Sequence, residues 1–159
     1  MNTDPELNEL LPHRPPMTLL AKVIDVNTPG VAVALADTSP ESVFYDAEVG
    51  GVPACVALEY MAQTMALAVG AECRRNGERP KAGFVLGTRR MDVKVAAFVK
   101  GERYVVTARR TFADDRSAAF DCRIDGPGGD MVAEASLSAY RPPDAADGPA
   151  EGGYGEGGE

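Results

Sequence analysis

The stretch Gly51–Gly70, GVPACVALEYMAQTMALAVG, is almost wholly apolar but carries Glu59 and, four residues later, Gln63. Its apolar residues do not keep to one stripe of a helix, so it predicts a helix that is buried on most sides. A membrane span is disfavoured, because the run is rich in alanine and both polar side chains are costly in a bilayer. An ionised carboxylate is also costly in a protein interior unless it is paired or protonated. Glu59 therefore needs a partner or a chemical role.

The segments around this helix predict a sheet of antiparallel strands. In chain order, the expected elements are a short helix with a Thr3–Glu6 capping box that ends at Pro12, strands at 17–26 and 30–36, the long helix from Pro53 to about Arg75, and strands at 82–95, 102–112, 117–125 and 130–140. A sheet of this size covers one helix only in part and leaves an edge strand open. We therefore expect two subunits to pair edge to edge.

Composition sets the broad class of the protein. We expect one domain over residues 1–142 and an acidic, glycine-rich, disordered tail over residues 143–159. The formal net charge of -8 and the lack of a long basic run argue against a nucleic-acid partner. Three cysteines, with no C-x-x-C pair and no signal peptide before them, predict buried or neutral free thiols in a cytoplasmic protein. Without a P-loop, a dinucleotide-binding glycine pattern or a Cys/His cluster, we expect no metal and no redox cofactor.

Three segments carry a resemblance to a known family. PACVALEYMAQ at 53–63 resembles the central-helix signature P-G-V-x-x-x-E-A-x-A-Q of 3-hydroxyacyl-acyl-carrier-protein dehydratases, LPHRPPM at 11–17 resembles their L-P-H-R-x-P segment, and VKGER at 99–103 resembles their P-G-D turn. Together with LGTRR at 86–90, the first two segments are closer still to the dehydratase-like proteins of aryl-polyene pigment clusters. The resemblance covers residues 10–140 and implies an α+β hot-dog fold, a curled antiparallel sheet wrapped around one central helix.

The resemblance also implies an activity, the removal of water from 3-hydroxyacyl thioesters on acyl carrier protein in fatty-acid or polyene biosynthesis. In the family, a helix glutamate works with a histidine supplied across a dimer interface, and Glu59 matches that glutamate. The family histidine lies in a G-H-F-P motif, but Tyr45 stands at that spacing and the only histidine here is His13. Either His13 reaches the pocket, or Tyr45 replaces it as the acid, or the chain is a partner-dependent subunit of a heteromeric dehydratase. Thioester hydrolysis, with Glu59 activating a water, is a further enzymatic alternative, and purely structural roles for His13 and Glu59 also stay open.

Other residues are candidates for substrate binding. Gln63 lies one helical turn after Glu59 and can hydrogen-bond its carboxylate. The backbone N–H groups of Ala54 and Cys55, at the positive end of the helix, could polarise a thioester carbonyl. The arginine pairs at 74–75, 89–90 (Arg89 and Arg90) and 109–110 could form a basic rim for the carrier protein and its phosphopantetheine, although scattered surface charge is an equal alternative. The expected assembly is a homodimer or a heterodimer with a related dehydratase subunit.

Overall fold

The structure is a computed structural model that describes residues 4–143 of the 159-residue chain. Thr3, predicted to cap the first helix, and residues 144–159 of the predicted tail lie outside the described residues. In the described part of the chain, Asp4 is the residue that caps the first helix, since its Oδ1 accepts a hydrogen bond of 3.1 Å from the Glu6 N–H. The second oxygen of Asp4 accepts from the Val23 N–H at 3.0 Å, so this cap also ties the first helix to the first strand.

A curled antiparallel sheet packs around one long helix, which confirms the expected α+β hot-dog arrangement. The elements are α1 (Pro5–Leu10), β1 (Leu20–Asp25), β2 (Val31–Ala36), β3 (Gly51–Pro53), a single 3-10 turn (Ala54–Val56), α2 (Ala57–Arg75), β4 (Phe84–Val93), β5 (Ala97–Val99), β6 (Val105–Ala113), β7 (Ser117–Asp125) and β8 (Met131–Tyr140). Six strands form the main sheet in the order β1-β2-β6-β7-β8-β4, and β3 pairs with β5 in a small second sheet. Every pairing between these strands is antiparallel.

Helix α2 ends at Arg75 as predicted, but a 3-10 turn over Ala54–Val56 takes the place of its predicted first turn, and the α-helix begins at Ala57. Pro53 precedes the 3-10 turn that opens it, and Gly77, with φ +71°, closes it in a conformation that favours glycine. The Gly77 N–H bonds the Arg74 carbonyl and the Glu78 N–H bonds the Cys73 carbonyl, which is a Schellman cap. By length and composition, residues 54–75 could cross a membrane, but most of this segment is buried against the sheet. That burial accounts for its apolar composition.

Two short strands were not predicted. The sequence predicts no strand within residues 37–52 or 96–101, but β3 pairs with β5, with Gly51 opposite Val99. The two backbones approach so closely that a Cβ atom on Gly51 would overlap the Phe98 carbonyl oxygen. Three residues are too few to show the alternation by which a strand is recognised in sequence. Strand β1 also begins later than predicted, at Leu20 rather than Met17.

Within residues 4–143, strand β4 is an edge of the main sheet and is bonded to β8 on one side only. Three apolar side chains at its start are exposed, Phe84 (61%), Val85 (41%) and Leu86 (67%). An open edge with apolar side chains is a surface on which another strand can pair. The main sheet therefore has an open edge at β4, where another strand could pair.

The packing of α1 on α2 requires a glycine at position 70. A Cβ atom there would overlap the backbone carbonyl oxygen of Leu10, which cannot rotate away. In an ordinary helix, replacing glycine with alanine stabilises by about 0.5–1 kcal/mol. We predict the opposite sign for Gly70→Ala, a loss of about 1–3 kcal/mol from overpacking, measured by denaturant unfolding. Gly128→Ala, at a turn whose nearest neighbour would be 3.9 Å away, is the matched control and should change stability little. A more stable Gly70→Ala variant would contradict the α1–α2 contact.

Candidate active site

The structure brings Glu59 and His13 together. Glu59 lies in the first turn of α2, and His13 lies in the loop of residues 11–19 between α1 and β1. The His13 Nε2 atom is 3.7 Å from the Glu59 Oε1 atom, with the two side chains 31% and 41% exposed. This separation is too long for a hydrogen bond but short enough for charge on one group to act on the other. His13 therefore reaches the Glu59 pocket within one chain.

Gln63 joins these two parts of the site. Its side chain is fully buried, and its Nε2 donates to the Glu59 carboxylate at 3.1 Å, as the helical spacing predicts. The same nitrogen donates to the Met17 carbonyl at 2.8 Å, and the Oε1 atom accepts from the Leu19 N–H at 2.9 Å. These last two bonds hold the His13 loop against α2. Gln63 thus orients the carboxylate and positions the histidine segment.

His13 is biased toward its neutral form. Burial lowers the pKa of the imidazole below its ordinary value of 6.5, the nearby Glu59 carboxylate raises it, and the Arg14 guanidinium lowers it, in that order of size. The Nδ1 atom is buried and has no hydrogen-bond partner among the described residues. A neutral imidazole can accept a proton, which is the property required of a general base.

The pair lies at one end of an open-sided cavity of about 510 Å³. The cavity follows one face of α2 toward the start of β4, the β6–β7 turn and the end of β8. Its middle is mostly apolar, lined by Ala62, Met65, Ala66, Val69, Ala118, Phe120 and Ala139. Apolar walls that lead to a pair of titratable side chains are typical of a site for a hydrocarbon chain with one reactive polar group.

Glu59 is less buried than the sequence suggested. It was expected among apolar neighbours, but 41% of its side chain is exposed and the adjacent Leu58 is also an exposed residue. The reason is the open side of the cavity, which leaves this face of α2 without a covering layer in the single chain. A carboxyl group is easier to keep protonated when water is excluded. The chemistry of Glu59 therefore depends on what covers the cavity.

The predicted carbonyl-polarising N–H groups are not at the cavity. The Ala54 N–H donates to the Ala96 carbonyl at 3.0 Å, in continuation of the β3–β5 pairing, so it is unavailable to a substrate. Neither Ala54 nor Cys55 is among the residues that line the cavity. Cys55 is exposed rather than buried, whereas Cys73 and Cys122 are buried as expected. Burial raises the pKa of both buried thiols, that of Cys122 to about 12, so they stay neutral.

Three further candidates also lie away from the cavity in the single chain. Tyr45 is half-buried in the loop before β3, where its N–H bonds the Ser42 carbonyl. Arg89 and Arg90 lie on β4, and the Arg90 Nε atom is 2.7 Å from a carboxylate oxygen of Asp92. Arg90 lines a second groove, on the face of the sheet that points away from α2. None of the three is a cavity-lining residue in this chain.

Four basic residues line the cavity at the end farthest from Glu59, namely Lys81, Arg110, Arg116 and Arg141. Arg110 belongs to one of the arginine pairs that the sequence offers as a basic rim, whereas the other three were not predicted. The Arg110 guanidinium bonds the Glu72 carboxylate of α2 at 2.6 Å. A signal was available in the alternation of the strands, because Arg110 shares the inward phase of the buried Val106 and Ala108, whereas Arg109 points outward.

A metal site is not evident in the part of the chain that the structure describes. Within residues 4–143, no group of three or more His, Cys, Asp and Glu side chains could hold a metal ion. The polar groups at the cavity are suited instead to proton transfer between a carboxyl group, an imidazole and a bound substrate.

Comparison with protein families identifies the relatives of this site. The family model for ApeP-like proteins, described as ApeP dehydratase, matches residues 5–148. The chain belongs to the ApeP-like dehydratase family. It is therefore a dehydratase-type enzyme, and the resemblance to the aryl-polyene dehydratase-like proteins is confirmed. No curated protein matches the sequence significantly.

Solved structures agree with this family assignment. The dehydratase heterocomplex ApeI:P from Xenorhabdus doucetiae matches with a TM-score of 0.79 and 25% identity, over 87% of this chain and 91% of that chain. The PaaI protein of the Escherichia coli phenylacetic acid degradation operon matches with a TM-score of 0.58 and 14% identity, over 76% and 78%. A hypothetical thioesterase with coenzyme A from Streptococcus pneumoniae matches with a TM-score of 0.58 and 12% identity, over 81% and 88%. The last two share the fold alone with this ApeP-like chain.

The proximity of His13 and Glu59 can be tested without substrate. Because His13 is the chain's only histidine, its imidazole signals in an NMR titration need no assignment among others. We predict a His13 pKa below 6.5, and a still lower pKa in Glu59→Gln, since that variant removes the negative charge that favours the imidazolium. The exposed Glu102→Gln is the control and should leave the titration unchanged. An identical His13 pKa in Glu59→Gln and in the wild type would contradict the pairing.

Proposed function

We propose that this chain removes water from 3-hydroxyacyl thioesters carried on an acyl carrier protein and forms trans-2-enoyl thioesters. The observation that carries the proposal is the Glu59–His13 pair at the end of an apolar cavity in a member of a dehydratase family. The cavity accommodates the acyl chain, and the pair faces the carbons that react. The setting is fatty-acid, polyene or related polyketide biosynthesis.

The elimination needs one group to take a proton and another to give one. Neutral His13 removes a proton from C2 of the substrate, and the electron pair of that C–H bond becomes the C2–C3 double bond. The C3–O bond breaks, and Glu59, which the companion subunit shields from water in the assembled enzyme, acts as the acid and gives a proton to the departing hydroxyl group, which leaves as water. His13 then carries one extra proton and Glu59 lacks one, so transfer across their 3.7 Å separation restores both. Gln63 holds the carboxylate in place during these steps.

The chain works as part of a dimer with a related dehydratase subunit. Strand β4 leaves an open edge with exposed Phe84, Val85 and Leu86, and Glu59 is only partly covered. A second subunit at this edge would extend the sheet and exclude water from the cavity. The match to a structure described as a heterocomplex supports a heteromeric pair. The three free cysteines support a reducing, cytoplasmic location.

The activity is tested by mass spectrometry of a 3-hydroxyacyl-carrier protein incubated with the chain, alone and together with a companion dehydratase subunit. We expect loss of water, and Glu59→Gln should lower turnover by about 10²–10⁴-fold, because it keeps the shape of the side chain and removes its proton. Glu102→Gln, an exposed glutamate away from the cavity, should match the wild type. Release of free acid would instead indicate a thioesterase, and full activity of Glu59→Gln would refute its catalytic role.

The proposed interface is tested at β4. Leu86→Arg places a charge at the most exposed apolar position of the edge and should weaken binding of the companion subunit at least about tenfold in analytical ultracentrifugation. The isolated variant should keep its melting temperature, since the side chain is exposed. Ile24→Arg, on β1 at the opposite edge of the sheet, is the matched control and should bind normally. Equal binding by both variants would place the interface elsewhere.

A further inference from the structure

The loop that carries His13 is held by its backbone. Arg14 folds back over it, and its Nη1 atom donates to the Leu11 carbonyl at 2.8 Å and to the His13 carbonyl at 2.7 Å. A turn follows, in which the Met17 N–H bonds the Arg14 carbonyl at 2.9 Å. Arg14 therefore fixes the backbone on both sides of the peptide group that joins Pro12 to His13.

The His13 ring has few restraints of its own. Its Nδ1 atom is buried without a hydrogen-bond partner in residues 4–143, and its Nε2 atom is 3.7 Å from Glu59, beyond hydrogen-bond length. In many sites, a hydrogen bond on one ring nitrogen fixes the direction in which the other points. No such bond exists among the described residues, so the direction of the ring depends on the packing around the buried side chain and on the position of its backbone. The bonds from Arg14, together with those that Gln63 makes to Met17 and Leu19, fix that backbone.

The charge of Arg14 acts on the same residue. A guanidinium next to an imidazole disfavours a second positive charge, so Arg14 adds to burial in lowering the His13 pKa, while Glu59 opposes both. The other charged group facing the ring is therefore Glu59 of α2, and the two act with opposite sign. Loss of the Arg14 charge would shift the balance toward the imidazolium, a form that cannot accept a proton.

We propose that Arg14 is a positioning residue for the dehydration, which holds the backbone of His13 next to Glu59 through its bonds to the Leu11 and His13 carbonyls. The expected effect on kcat rests on the proposed function. The expected effect on the His13 pKa does not, because it can be measured without a substrate. Arg14 touches neither the cavity nor the reacting atoms, and is absent from the cavity-lining residues.

Two substitutions separate the parts played by charge and by hydrogen bonding. Arg14→Gln removes the charge and shortens the side chain. Arg14→Lys keeps the charge, and because both bonds come from one nitrogen, an ammonium group can replace them. In an NMR titration of His13, Arg14→Gln should raise the pKa relative to the wild type, and Arg14→Lys should lie close to it. Arg103→Gln, an exposed arginine in the β5–β6 turn, is the control and should titrate as the wild type.

The kinetic measurement uses the full chain with its companion subunit and the 3-hydroxyacyl-carrier protein. Arg14→Gln should lower kcat about 10- to 100-fold with little change in KM, since a small displacement of a catalytic group has an effect of this size. Arg14→Lys should recover most of the activity. A wild-type His13 pKa and kcat in Arg14→Gln would overturn the proposal. An unchanged pKa with parallel losses of kcat and melting temperature would also overturn it, by showing a purely structural role. Because the titration needs no substrate, failure of the dehydratase assay alone would count against the proposed function and not against the role of Arg14.

Discussion

The buried amide of Gln63 is the interaction on which the candidate site depends. A primary amide has two N–H donors and one carbonyl acceptor, and here they serve three separate parts of the chain, the Glu59 carboxylate, the Met17 carbonyl and the Leu19 N–H. A buried amide without hydrogen bonds is costly, so the orientation of this amide and the positions of its partners determine each other. The loop of residues 11–19 has particular need of such a partner, because it contains three prolines, which have no backbone N–H to donate.

One face of helix α2 is covered by the sheet, and the opposite face is open to the cavity. One face packs against the strands, with Tyr60, Met61 and Leu67 fully buried. The other face lines the open cavity and carries Glu59, at the side where the sheet ends in β4. The open sheet edge and the partial exposure of Glu59 are therefore two consequences of one missing layer. A second subunit that paired with β4 would therefore also exclude water from the cavity at Glu59.

The sequence was sufficient for the elements with long, regular signals. The end of α2 follows from Gly77, its helical segment starts after Pro53 with a 3-10 turn, and β7 and β8 follow from their alternation between turn residues. The sequence was insufficient where a backbone bond depends on distant residues. The β3–β5 pairing involves three residues on each side. Next to it, the Ala54 N–H donates to the Ala96 carbonyl, so it is not free to bind a substrate as the helix geometry alone predicted. Such competition between local and tertiary partners is invisible in a single segment of sequence.

The site shows the same division between local and distant information. The spacing of Glu59 and Gln63 places them on one helix face, and that contact was predictable. The approach of His13 was not, because it depends on α1 packing so tightly against α2 that Gly70 meets the Leu10 carbonyl. Once this contact is made, His13 stands beside Glu59 from its own chain, although position 45 holds Tyr45 where the family motif has its histidine. The proposed pair is therefore complete within one subunit and does not require a histidine from a partner. In the proposed assembly at β4, the second subunit contributes the exclusion of water from this site.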